Sequence, residues 1–174
     1  MRTLIANESG LTLAEILIAV AILGVGLVGL ASVIPGASYA VQQGNQLSTG
    51  TFLAEQMIER ARAATWTATP PASDCLGVSA GNAAPVPTGA TCITPQPAAT
   101  TTSTQFPDEA AVAGYPAYRR VVRVTDCGAT PCIAGATQAG MRLVTVTVSY
   151  RGLTGAGVSP TDNNVTLNWL VARK

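Results

Sequence analysis

The chain has 174 residues, enough for one modest domain and an appendage. Hydrophobic residues make up 48% and aromatics only 5%, while charged residues are 11% and the formal net charge is +1, so no whole-molecule field for nucleic acid or anionic lipid follows. Histidine is absent and Lys174 is the one lysine, which excludes histidine-dependent acid–base catalysis and histidine metal sites; the few Asp and Glu are unclustered, so neither enzymatic activity nor a cofactor is expected.

Residues 1–10 (MRTLIANESG) are short and polar, and LTLAEILIAVAILGVGLVGLASVI follows over 11–34 with Glu15 as its only charge. At helical rise the uncharged stretch Ile16–Ile34 is about 28 Å long, close to the thickness of a hydrocarbon core. Pro35-Gly36 punctuates it. Arg2 favours a cytoplasmic N-terminus. Length alone does not identify this segment. A secretory signal has a shorter apolar region with cleavage after it, for which Ser38-Tyr39-Ala40 offers small residues. A plain membrane anchor fits the length but leaves Glu15 without a role, since a carboxylate at the edge of the apolar phase needs a partner.

Ser9-Gly10-Leu11-Thr12-Leu13-Ala14-Glu15 resembles the class III signal of type IV pilins and type II secretion pseudopilins. That pattern is Gly, usually Phe, then Thr-Leu, an apolar residue and Glu, directly before a hydrophobic helix. Leu11 stands where Phe is usual, and Ala14 is smaller than the customary Ile or Val. The resemblance implies that a membrane aspartyl prepilin peptidase cuts between Gly10 and Leu11 and that the new amine of Leu11 is methylated. It also implies a role for Glu15 in assembly, through charge pairing with that amine in a low-dielectric filament core. The implied setting is a bacterial inner membrane, single-pass, with the N-terminus cytoplasmic and the C-terminal domain periplasmic, and later a pilus or pseudopilus. Other pilin or pseudopilin subunits, the peptidase and the inner-membrane assembly platform are the implied partners. AILGVGLVGL with AEQMIERARA at 54–63 is similar to PilV-type minor pilins and the type II secretion minor pseudopilin I. Gly24, Gly26 and Gly29 do not form GxxxG; they permit close helix packing or are the ordinary glycines of membrane helices.

Residues 36–65 continue as an amphipathic helix, within a long helix over 11–65. Leu47, Ala54, Ile58 and Ala61 form its stripe, flanked by Leu53 and Met57, and Gln42, Gln43 and Gln46 belong to its polar surface. This stripe is expected to seat a globular domain. Gly44 and Gly50 weaken the helix by about 1 kcal/mol each.

Residues 66–117 read as a Pro/Thr/Ala-rich loop region. Seven of the eleven prolines fall between Trp66 and Pro107, with Asp74 as the single charge there. Cys75, Cys92, Cys127 and Cys132 are even in number, as an exported disulfide framework requires, and three pairings are possible. Pairing of sequence neighbours is the simplest, and a loop closed by Cys75–Cys92 gains roughly 3 kcal/mol in the chain-entropy model. Free thiols or a metal site are the alternatives, the latter poor because no CxxC occurs.

Residues 118–174 carry three strand patterns, Tyr118–Thr125, Met141–Arg151 and Asn164–Ala172. Val144, Val146, Val148 and Tyr150 share one face, and Val165, Leu167, Trp169 and Val171 point inward. One antiparallel sheet on the amphipathic half of the helix makes an α+β domain, which is the pilin fold in outline, its hydrophobic half-helix protruding. The region also holds seven basic residues, Arg119, Arg120, Arg123, Arg142, Arg151, Arg173 and Lys174, against Asp126 and Asp162. A solvated sheet face accounts for them; contact with DNA, an anionic surface or an acidic subunit is the sharper alternative, without a nucleic-acid motif in support. The expected function is that of a minor type IV pilin (PilV-like) in pilus assembly or priming. The alternatives are a minor type II secretion pseudopilin and a tip adhesin or DNA-binding pilin.

Overall fold

The computed structural model describes residues 12–68, 73–89, 92, 104–132, 137–154 and 157–174. Helix α1 covers Leu13–Ala63. By its internal contacts the chain divides into two units, residues 1–41 and 42–174.

In the first unit every described side chain from Thr12 to Ser38 is exposed. A helix that is apolar all round is stable only where its surface is covered by lipid or protein. Pro35 lies within the helix. The hydroxyls of Ser32 and Ser38 donate back to the carbonyls of Gly29 and Pro35, at 2.7 and 2.8 Å.

In the second unit α1 buries Gly50, Leu53, Ala54, Met57, Ile58 and Ala61. Their spacing of three and four places them on one stripe. Leu53 and Met57 are therefore central to the core and not flanking it, and Leu47, expected in the stripe, is exposed. At that level the helix meets the sheet through glutamines: Gln43 Nε2 donates to Leu153 O at 3.1 Å and Gln46 Nε2 to Arg151 O at 3.5 Å. Gly50 is the point of close approach, because a Cβ there would lie 3.2 Å from Val165 Cγ2 and 3.4 Å from Tyr150 Cε1. Its low helix propensity is exchanged for contact.

Strands β4 (Tyr118–Asp126), β5 (Met141–Thr154) and β6 (Gly157–Ala172) form an antiparallel sheet in the order β4-β5-β6. Val122, Val146 and Leu167 lie in one cross-strand row and Val124, Val144 and Trp169 in the next. β-branched side chains on alternating positions of paired strands give this register its apolar face. The valines of β4 and β5 on that face are fully buried, and Val165, Leu167, Trp169 and Val171 of β6 pack against the core.

The stretch expected to be loop holds a second antiparallel sheet: β1 (Trp66–Thr67), β2 (Ser73–Val78) and β3 (Val86–Gly89), in that order. Their pattern is hidden because the strands are two, six and four residues long, and β2 is held by a residue far away in the chain, Arg142. Gly77 has φ 71°, and a Cβ there would fall 2.5 Å from the backbone of Val86, so only glycine fits this irregularity in the pairing of β2 with β3. Leu76 enters the main core. The Asp74 carboxylate takes a bidentate ion pair from Arg142 on β5, at 2.6 and 2.7 Å. The same guanidinium stacks 4.2 Å above the ring of Trp66.

A second buried arginine ties β4 to α1. Arg120 donates to Leu53 O at 2.9 Å and Gln56 Oε1 at 3.0 Å, and is ion-paired with Glu109. Two backbone bonds between Glu109 and Arg120 hold the segment before β4 against its outer edge. The ensemble is one long helix with two small antiparallel sheets, consistent with an α+β pilin fold.

Candidate functional site

Gly10 and Leu11, the expected cleavage pair, lie outside the described residues. At Thr12 the geometry is specific. Glu15 Oε2 accepts from both the backbone N–H and the hydroxyl of Thr12, each at 2.9 Å. In return Glu15 N–H donates to Thr12 Oγ1 at 3.3 Å, and the backbone N–H groups of Glu15 and Ile16 donate to Thr12 O at 3.1 and 3.3 Å. This is a capping box, with Thr12 as N-cap and Glu15 three residues on. The helix therefore starts at once, with the acidic side chain folded over its first turn, where the positive end of the helix dipole favours it.

Sequence reasoning expected the carboxylate to pair with a new amine and missed this local role. The Thr-x-x-Glu spacing was the signal that identifies it. The two roles are chemically compatible, since a carboxylate has more lone pairs than Thr12 uses. Everything from Ile16 to Ile34 is uncharged. α1 contains a segment long and apolar enough to cross a membrane.

The four cysteines form two bonds, Cys75–Cys92 and Cys127–Cys132, with Cα separations of 5.2 and 5.1 Å. The first joins β2 to Cys92 and is buried; the second closes the turn that follows β4.

The seven basic residues of 118–174 do not gather into one surface. Arg120 and Arg142 are buried in the ion pairs described above. Arg123 is held by Asp108 at 2.6 and 2.8 Å and by Asn82 Oδ1 at 3.0 Å. The Arg123 hydrogen bonds keep the Asp108 carboxyl below the usual carboxylate range. Arg119 and Arg151 both approach Asp162, at 3.8 and 3.3 Å. Among the described residues only Arg173 and Lys174 of the seven lack an acidic partner. The local excess of positive charge is thus mostly spent inside the domain or at its rim.

No curated protein sequence and no solved structure matches the chain. A family model does match at the N-terminus: residues 5–31 fit the prokaryotic N-terminal methylation motif. That segment contains the Gly10–Leu11 junction, the Thr12–Glu15 capping box and most of the uncharged helix. This match, on a chain with an α+β architecture led by one long helix, supports a type IV pilin-like protein.

Proposed function

We propose that the chain is a minor type IV pilin of the PilV kind, a structural subunit that takes part in pilus assembly or priming after its leader is removed. The methylation motif over residues 5–31 carries this proposal. Cleavage falls between Gly10 and Leu11, and Leu11 is then methylated on its new amine. That amine lies on the residue before Thr12, whose own N–H already donates to Glu15. Glu15 thus starts the helix and supplies the charge that neutralises the amine, of its own chain or a neighbour's. In the filament core, where water is scarce, such pairing sets the depth and register at which a subunit enters. The apolar surface of Leu13–Ile34 anchors the precursor in the membrane and then packs against the corresponding helices of other subunits. Residues 42–174 face the periplasm and later the filament surface.

Substitution at the junction tests this. Intact-mass measurement on Gly10→Phe purified from a host with prepilin peptidase is expected to show residues 1–10 retained. Complete leader removal in that variant overturns the assignment. Glu15→Gln should be processed normally and yet be lost from sheared filaments; normal incorporation removes the assembly role from Glu15.

A further inference from the structure

The sheet β4-β5-β6 has two lateral edges, finished in different ways. Along β4, the Ser79 N–H donates to Val124 O and the Ser79 hydroxyl oxygen accepts from Val124 N–H, and Arg120 exchanges two backbone bonds with Glu109. That edge is covered. On β6, Arg173 N–H donates to Gly140 O. With the antiparallel register, this turns the N–H and C=O groups of Val165, Leu167, Trp169 and Val171 toward β5 and those of Asn164, Thr166, Asn168 and Leu170 outward. None of these outward groups has a hydrogen-bond partner among the described residues. Only at its far end is the edge occupied, where Lys174 N–H donates to Trp66 O and Lys174 O accepts from Ala68 N–H.

Open edges are commonly blunted by proline, charge or a covering loop. β6 has Pro160 and Asp162 near its start and neither proline nor charge from Asn163 to Ala172. The bare edge runs into a groove of about 410 Å³ lined by Arg62, Ala64, Trp66, Trp169–Ala172 and Lys174. Arg62 lies over the Trp169 ring at 5.2 Å, and its one carboxylate partner, Glu59, is itself exposed. Lys174 and the adjoining Arg173 have no acidic partner among the described residues. A row of unpaired backbone groups therefore ends at an aromatic floor with a cationic rim.

We propose that the outer edge of β6 receives an extended segment of a partner polypeptide as an added strand, with a carboxylate of that segment seated in the groove beside Arg62 and Lys174. Main-chain hydrogen bonds along Asn164–Leu170 hold the segment, and the cations select an acidic one. The carboxylate is an acidic side chain of that segment.

The full chain in detergent micelles, titrated into a fluorescent peptide of alternating valine and threonine ending in two glutamates, tests this by anisotropy. The acidic peptide is expected to bind about tenfold more tightly than its lysine counterpart and to lose about tenfold on N-methylation of alternate amides. Amidation of the peptide terminus should leave affinity nearly unchanged; loss of binding on amidation assigns recognition to the terminus and overturns the proposal. Arg62→Glu combined with Lys174→Glu reverses the preference. Thr166→Pro removes binding while costing no backbone bond to β5, because its N–H faces outward; it loses only the exposed hydroxyl contact with Thr147. Failure of the acidic peptide to bind, equal affinity for acidic and basic peptides, or indifference to N-methylation overturns the proposal. So does dimerisation abolished by Thr166→Pro without peptide binding, which assigns the edge to a second copy. Should Thr166→Pro misfold, the N-methylated peptide and the double charge reversal decide alone.

Discussion

From Leu13 to Ile34, α1 carries apolar side chains on every side and buries none of them; from Gly50 to Ala61 the same helix buries a single stripe and, apart from Phe52, leaves polar side chains outside it. Glycine has different surroundings in the two parts. Added Cβ atoms at Gly24, Gly26, Gly29 and Gly36 would meet nothing within 4 Å, whereas at Gly50 one would press on Val165 and Tyr150. The two parts therefore draw their stability from different sources. The C-terminal part is held by a core and by arginines that reach across it, within its own chain. The N-terminal part has no such partner among the described residues, and its surroundings must be supplied by a membrane or by other subunits.

Removing Arg142 should have the largest effect. Arg142→Ala leaves the Asp74 carboxylate buried without its ion pair, so thermal unfolding of the full chain in detergent should show a loss of about 3–5 kcal/mol. Leu53→Ala empties a fully buried site and should cost about 2–5 kcal/mol. Leu23→Ala, in the apolar segment, should leave the unfolding of residues 42–174 unchanged; a comparable loss for Leu23→Ala would erase the contrast. Gly50→Val should cost about 1–3 kcal/mol by overpacking. Gly44→Ala, with open space around its Cα, should gain at most about 1 kcal/mol from helix propensity. Equal responses at the two glycines would argue that Gly50 is not a contact point.

The smallest effect is in pH. Asp108 titrates lower in the folded chain than in the unfolded one because of its hydrogen bonds to Arg123. Its contribution is therefore complete above the unfolded carboxylate pKa and disappears as pH falls through the folded value. With Asp108 about half exposed, solvent screening limits this to roughly 1 kcal/mol or less. Asp108→Asn should flatten the acid limb of the stability curve by that amount; an unchanged limb removes the pair from the account.

What could be read in the sequence was local and periodic. The alternation in Met141–Tyr150 and Asn164–Val171 announced strands and their inward faces, and the uncharged run after Glu15 announced the helix. The three- and four-residue spacing in 53–61 announced the buried stripe, but Leu47 shares that spacing and lies where the sheet presents carbonyls to glutamine. Strands β1–β3 were not legible: Asp74 is fixed by Arg142, 68 positions away, and Gly77 by the backbone of Val86 on the neighbouring strand, and neither constraint shows as a periodic pattern. At the candidate site the Gly10–Glu15 pattern was legible as a signal. The capping box was equally local, and was missed because Glu15 was considered only as a charge needing a partner amine.

The Asp74–Arg142 clasp also has a consequence for the order in which the domain forms. β4, β5 and β6 follow one another as a meander and find their partners nearby in the chain, whereas Asp74 must wait for a residue 68 positions away. Local pairings close early and distant ones late. The clasp therefore belongs to the native state more than to the folding barrier, and it acts as a latch on escape. Arg142→Ala should accelerate unfolding by nearly its whole loss of stability and leave the refolding rate almost unchanged. A refolding rate that falls with stability would place the clasp in the barrier instead.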